Sequence, residues 1–497
     1  MRRSSRYILT LLALAPAAFS LACTSEKIVY RSGTNFATPP TAALSFVGYS
    51  DVTTQQTVCG SCHVDFQTRW AATKHASAWK DLQASGSAGT TCYACHAVSA
   101  LGNASTDATA GYLGAQDPRY QDVQCENCHG AGLTHASSPT GSNIPLVSIQ
   151  ADTSIKNGCG ECHSGTHEPF VNEWAGSNAA GLSHSHIQAH AQTSTDPTCK
   201  NCHSAQGALT SWGNTENYVE KTSTTWLPVV CAVCHDPHGS PNTAQLRFSI
   251  SAANIDDNLC MKCHQRNSNA SLDNTRNSVH SPQGPTLLGT AGWFPPGFDI
   301  ADTIIGTHGT PSANPTMCAG CHVQRFTVND KLTGKFVFQS TGHSFIAAPC
   351  VDANGQPTAN QTCDISVQTF RSCAKASCHG SETAAKSAYT TAQARVNQLI
   401  TQTNTYITQV KAGAKKGECS VPSTTGKYTT CNGASFNISL AQSPGAPAHN
   451  PFLIEQLLIA SIAQLQKDYG LTAAASVSLA PQFTRPLRMR TLQGSTR

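Results

Sequence analysis

The chain has 497 residues, of which 12% are charged and 7% aromatic, set against 23 cysteines and 20 histidines. An ordinary globular chain carries about 25% charged residues, and so few large apolar side chains exclude a set of conventional cores unless something else supplies the buried volume. The formal charge of +4 is no argument for nucleic acid, because Arg2, Arg3 and Arg6 belong to an N-terminal segment built for removal.

That segment pairs its basic residues with an apolar run, Tyr7 to Leu21, which is too short to span a bilayer comfortably. The run ends Ser20-Leu21-Ala22-Cys23, similar to a bacterial lipobox but with Ser20 where that pattern prefers Leu. Residues 1–22 are expected to be a signal peptide. Residues 23–55 are expected to hold a lipid-anchored Cys23 and a linker rich in Ser, Thr and Pro. The alternative is a plain secretory signal that leaves a soluble protein. Either way the chain is exported.

Residues 56–382 are organised by cysteine. Eight Cys-x-x-Cys-His signatures use Cys59, Cys62 and His63; Cys92, Cys95 and His96; Cys125, Cys128 and His129; Cys159, Cys162 and His163; Cys199, Cys202 and His203; Cys231, Cys234 and His235; Cys260, Cys263 and His264; and Cys318, Cys321 and His322. Two thiols at this spacing can add across the vinyl groups of a haem, and the following histidine can bind its iron. One such motif alone could be a zinc half-site or a redox dithiol; recurrence along the chain decides for haem. A ninth site, Cys373 and Cys378 with His379, has four intervening residues and is similar to a rarer attachment motif, the alternative being a disulfide or two free thiols. Nine covalently attached haem c groups are expected. Their propionates and ferric irons would bring the processed, oxidised protein to a net charge of about −8.

The first seven sites recur at intervals of roughly 30–40 residues, which leaves little room for separate apolar cores. The expected fold is mainly irregular, with short α-helices wrapped around a covalent haem chain. Residues 265–317 form a haem-free insertion containing Trp293-Phe-Pro-Pro-Gly297. It is expected to be a loop covering haem edges, or else a cap or partner surface. Cys350 with Cys363, and Cys419 with Cys431, each bracket a short Gly-, Pro-, Asn- and Thr-rich loop that suits a local disulfide in an oxidising compartment, metal binding being the alternative.

Residues 383–470 change character. Tyr389, Ala392, Val396, Leu399, Thr403, Tyr406 and Val410 fall at helical spacing. A second helix is signalled by Asn450 as N-cap, Pro451 in the first turn, the stripe Ile454, Leu458, Ser461, Leu465 and Tyr469, and Gly470 as stop. The two are expected to pack as an antiparallel hairpin around the Cys419–Cys431 loop. Residues 471–497 are expected to be a basic tail, with a patch for an acidic partner as the alternative.

What binds the other face of each iron separates a wire from an enzyme. Eleven histidines lie outside the signatures. Eight are scattered singly: His75, His135, His167, His238, His280, His308, His343 and His449. Three are clustered, His184, His186 and His190, so one of them would complete nine bis-histidine sites. His190 is preferred because its His-Ala pair echoes His75-Ala76 and His135-Ala136. His/Met ligation is not expected: Met261 lies inside a signature, Met317 immediately precedes one, and Met489 is in the tail. His238 is too close to His235 to reach the opposite face of the same iron, so it is predicted to cap a neighbouring haem, as is His167 beside His163.

With its Cys231-Ala-Val-Cys-His-Asp-Pro-His-Gly element and Trp-x4-His elements such as Trp70 to His75, the chain resembles bacterial exported multihaem c-type cytochromes over residues 56 to about 470. The resemblance implies closely packed haems that pass electrons to other redox proteins or extracellular acceptors, with no catalytic residues, at the outer membrane, in the periplasm or at the cell surface. Two alternatives stand beside it. One is a subunit of a haem filament, a homopolymer. The other is a multihaem reductase that keeps one iron open, although spare histidines are available to close every site.

Overall fold

In the computed structural model, residues 45–151, 158–165, 167–176, 183–270, 278–298, 305–358, 361–420, 428–472 and 477–483 are described. The signal segment, Cys23, most of the linker and the arginines of the tail lie outside them.

Most of the chain from residue 45 to 380 is short helical turns joined by irregular segments. Two small antiparallel ribbons interrupt it, β1 (Tyr49–Asp51) with β2 (Gln56–Thr57), and β3 (Phe326–Asn329) with β4 (Phe336–Ser340). Among the longer elements in this part is α1 (Val64–Ala71), which follows the first signature. The polypeptide cores here are small. One gathers Phe46, Val98, Tyr112 and Tyr120, and another Met261, Leu287, Leu288 and Met317. Both methionines are therefore committed to packing. This thinness is what the composition requires of a chain whose buried volume is supplied by something other than side chains.

The largest apolar cluster lies where no attachment site does, in a bundle of α2 (Glu382–Ala412), α3 (Thr430–Ala441) and α4 (Pro451–Tyr469). The Ser381 side chain accepts the Ala384 N–H to start α2. Asn450 accepts the Leu453 N–H to start α4, and Gly470, at φ +62°, stops it in a left-handed conformation that a Cβ would oppose. Ala392, Val396, Leu399, Thr403, Tyr406 and Val410 are buried along α2, as are Ile454, Leu458, Ser461 and Leu465 along α4.

The antiparallel hairpin is corrected. Arg395 pairs with Glu455 at 2.7 Å, Gln466 donates to the Tyr406 hydroxyl at 2.7 Å, and Lys415 donates to the Asp468 carbonyl at 3.2 Å. Contacts advance together along both helices, so α2 and α4 run parallel. The return is made by α3, whose Thr430 bonds Asp468 while its Asn437 bonds Ser461. The sequence TCNGASFNISLA hides this helix: it carries glycine and polar residues and is buried on nearly every side, so no apolar stripe marks it. The Cys419–Cys431 disulfide ties the start of α3 to the segment after α2, and Cys350–Cys363 closes the second predicted loop.

The bundle is not detached from the rest. Trp293 in the insertion lies where a Cβ on Gly433 would sit, within 2.0 Å of the ring. Its backbone N–H donates to Asn437 at 2.7 Å, and the Asn437 amide donates back to the Trp293 carbonyl at 2.8 Å. Asn450 donates to the Thr286 carbonyl at 3.1 Å. The insertion thus carries the bundle against the cysteine-rich part of the chain.

Candidate functional site

Each two-residue signature folds as a single helical or 3-10 turn, for example Cys59–Ser61, Cys125–His129 and Lys200–His203. The histidine N–H closes the turn on the carbonyl of the first cysteine: His63 on Cys59 at 3.0 Å, His163 on Cys159 at 2.9 Å, His264 on Cys260 at 3.1 Å and His322 on Cys318 at 2.9 Å. Residues three and four apart share a helical face, so two thiols and one imidazole are presented to one side. The longer ninth motif closes with His379 N–H on the Cys373 carbonyl at 3.3 Å. None of the 18 cysteines of the nine motifs is in a disulfide.

The histidines meet in pairs. Ring centres are 6.4 Å apart for His63 and His135, 6.2 Å for His163 and His75, 6.1 Å for His129 and His238, and 6.3 Å for His235 and His343. They are 6.0 Å apart for His203 and His280, and 6.2 Å for both His264 with His184 and His322 with His449. His379 of the longer motif faces His308 at 6.1 Å. A metal–imidazole bond of about 2 Å, with about 1.1 Å more from nitrogen to ring centre on each side, puts two ligands of one ion about 6.3 Å apart. Eight motif histidines therefore stand at the separation that a single shared iron demands, beside two thiols each. These residues fit haem c.

Burial keeps many of these rings neutral, as ligation requires. It is the largest cause lowering His75, His184 and His343 to about 4 and His449 to about 3. The second ring nitrogen is tied down at many sites. Nδ1 of His129 lies 2.6 Å from the Pro145 carbonyl, His235 2.7 Å from Ala244, His308 2.6 Å from Ala448 and His322 2.8 Å from Phe345. Such bonds select the tautomer that leaves Nε2 free. Gly445, at φ +75°, leaves room for His449: a Cβ there would sit 2.8 Å from its Cε1.

The family model described as cytochrome c554 and c-prime matches residues 58–130, and the doubled CXXCH motif model matches residues 229–269. The chain is a multihaem c-type cytochrome. No curated protein matches it. A solved structure, the undecahaem cytochrome from the S-layer of Carboxydothermus ferrireducens, is similar at 18% identity and a TM-score of 0.49, over 87% of this chain and 70% of that one. No helix among the described residues is long and apolar enough to cross a membrane.

Three predicted positions of this cytochrome are placed differently from the sequence reading. Within the clustered histidines it is His184 whose ring faces a motif histidine across the ligand separation. His190 lies 5.3 Å from His203 at a 52° tilt, on a ring that already faces His280 at a 20° angle. His167 is exposed. Among the described residues no histidine ring stands opposite His96, whose Nδ1 is anchored 3.2 Å from the Ala78 carbonyl.

The sites touch in a fixed order. Cysteines of different motifs lie side by side across sites: Cys59 with Cys125, Cys95 with Cys162, Cys159 with Cys231, Cys202 with Cys263 and Cys260 with Cys318. Three phenylalanines wedge between pairs. Phe66 lies 6.1 Å from His63 and 4.5 Å from His238; Phe170 lies 5.5 Å from His163 and 4.7 Å from His343; Phe345 lies 5.6 Å from His343 and 4.7 Å from His184. Cys128 also lies near Cys159, and Cys321 near Cys373, which completes the contacts. The order is His63, His129, His163, His235, His264, His322 and His379, with His96 joined beside His163 and His203 beside His264. The phenylalanines were not singled out from sequence, where an isolated Phe in a polar loop looks like any other apolar contact.

Proposed function

We propose that this cytochrome carries nine haem c groups, eight held between two histidines and one, at Cys92, Cys95 and His96, held by a single histidine, and that it conducts electrons to redox partners or extracellular acceptors. The observation that carries the reading is the set of eight ring pairs at 6.0–6.4 Å. When bound, haem supplies an iron that cycles between ferric and ferrous states. The chain's own residues do the rest. Paired thiols hold each group in register, neutral imidazoles close both faces of most irons, and shared loops set the spacing between sites. In the loop from Cys231 to Gly239, His235 serves one site and His238 the next but one along the line, so one short segment fixes two positions.

Export by the N-terminal signal, with or without an anchor at Cys23, brings the protein to the periplasm or cell surface, where a thin polypeptide core needs the covalent links. The reductase alternative is favoured by one observation, the unfaced His96, which sits at the end of a side branch. Low-temperature EPR with haem quantification on the purified holoprotein tests the reading. Nine haems per chain with eight low-spin bis-histidine signals are expected. Four or five low-spin centres, or a haem count well below nine, would overturn it.

A further inference from the structure

We propose that the carboxylate of Glu216 depresses the redox potential of the site between His129 and His238, which makes Glu216 a positioning residue for one step of the line. The inference rests on ligation by those two histidines, as proposed above.

Most of the paired rings with an Nδ1 contact meet a neutral oxygen: a backbone carbonyl for His129, His235, His308 and His322, the Asn143 amide for His135 at 3.2 Å, and the Gln283 amide for His264 at 3.3 Å. His343 meets the carbonyl and hydroxyl of Thr341. His238 differs. Its Nδ1 is 3.4 Å from Glu216 Oε1 and 3.7 Å from Asp236 Oδ1. Both distances are too long for a strong hydrogen bond, so the carboxylates act through their charge.

Two guanidiniums complete the cluster. Arg69 reaches Glu216 at 3.3 Å and Asp236 at 2.9 Å, and Arg247 reaches Asp236 at 3.4 Å. The carboxylates are thus held by these cations, with an oxygen of each within 3.4–3.7 Å of the His238 ring nitrogen. The loop carrying Glu216 is itself held, by its own N–H on the Asn214 side chain at 2.8 Å and by Lys221 on its carbonyl at 2.8 Å. Asp236 is buried and Glu216 half-buried, which limits screening. A carboxylate behind a ligand imidazole raises the basicity of that ligand and favours the oxidised iron, which carries one more positive charge. Arg69 opposes it. It belongs to α1, and α1 follows His63 directly, so the cluster lies between the first two sites of the line.

The two side chains therefore carry opposite signs, and this gives the test. In the full-length holoprotein, Glu216→Gln and Arg69→Gln are compared by redox titration followed by visible and EPR spectra. Glu216→Gln is expected to shift one potential upward, Arg69→Gln to shift the same one downward, and the remaining potentials and the haem content to stay in place. Shifts of the same sign in both variants, or no shift in either, would overturn the proposal, because loss of packing alone has no reason to reverse sign. His238→Ala separates the underlying reading: it is expected to convert one low-spin site to high spin. If it does not, the ligation reading fails. If it does while Glu216→Gln leaves every potential unmoved, the charge proposal alone fails.

Discussion

Carbon monoxide probes the one motif histidine without a partner ring. In eight sites the imidazole centres are 6.0–6.4 Å apart, the gap that one metal and its two bonds would span. A diatomic ligand could enter only by expelling one of the two histidines, some of which, such as His135, His308 and His343, are anchored through their other nitrogen. At His96 no such ring has to leave. Added to the fully reduced holoprotein, carbon monoxide is therefore expected to bind about one-ninth of the haem. It should do so within the mixing time, because no ligand dissociation precedes it. The assay is a reduced-plus-CO minus reduced difference spectrum, scaled against total haem, with stopped-flow mixing for the rate. No binding would refute the open site and point to closure of His96 by a residue such as His167. In that case His167→Ala should restore one-ninth binding. Rapid binding to two or more ninths would refute the ring pairs themselves.

Gly445→Ala is expected to displace the His449 ring, because the added Cβ would sit 2.8 Å from Cε1 on a backbone at φ +75°; one low-spin EPR signal should be lost, with about 1–2 kcal/mol of stability for the left-handed residue. Arg395→Met leaves Glu455 buried without its cation, at a cost of about 3–5 kcal/mol, and pairing it with Glu455→Leu should recover most of that; urea unfolding followed by far-UV circular dichroism measures both. Gly433→Ala should destabilise the contact between the bundle and the insertion by about 1–3 kcal/mol, read as faster proteolysis of the insertion. Glu126 is fully buried, accepts the N–H groups of Val47, Gly48 and Gly132, and is raised by burial from 4.5 to about 7. The folded state thus binds a proton that the unfolded state has released. The stabilisation from protonated Glu126 is full below about pH 4.5 and is lost as pH rises through about 7. Stability measured across that window should fall in the natural protein and stay flatter in Glu126→Gln.

The attachment sites were legible in the sequence because a Cys-x-x-Cys-His turn is a local object. Five residues of one helical turn bring thiols and imidazole to the same side whatever the rest of the chain does. The two disulfides were legible for the same reason, as were the ends of α2 and α4, where Ser381, Asn450 and Gly470 act on neighbouring backbone. The direction of packing was not legible: α3 is buried almost all round, carries no stripe, and turns an expected antiparallel pair into a parallel one. Distal partners are equally non-local. His75 faces His163 and His343 faces His235, separations at which counting supplies candidates but no pairing. Counting favoured nine closed irons and His190; the tertiary structure sets a second ring opposite eight motif histidines, places His184 rather than His190 in such a position, and among the described residues sets no histidine ring opposite His96. The sequence by itself determined which residues can bind, since that depends on contiguous spacing. Which ring stands opposite which, and what charge stands behind it, was decided only by segments that meet after the chain has folded back on itself.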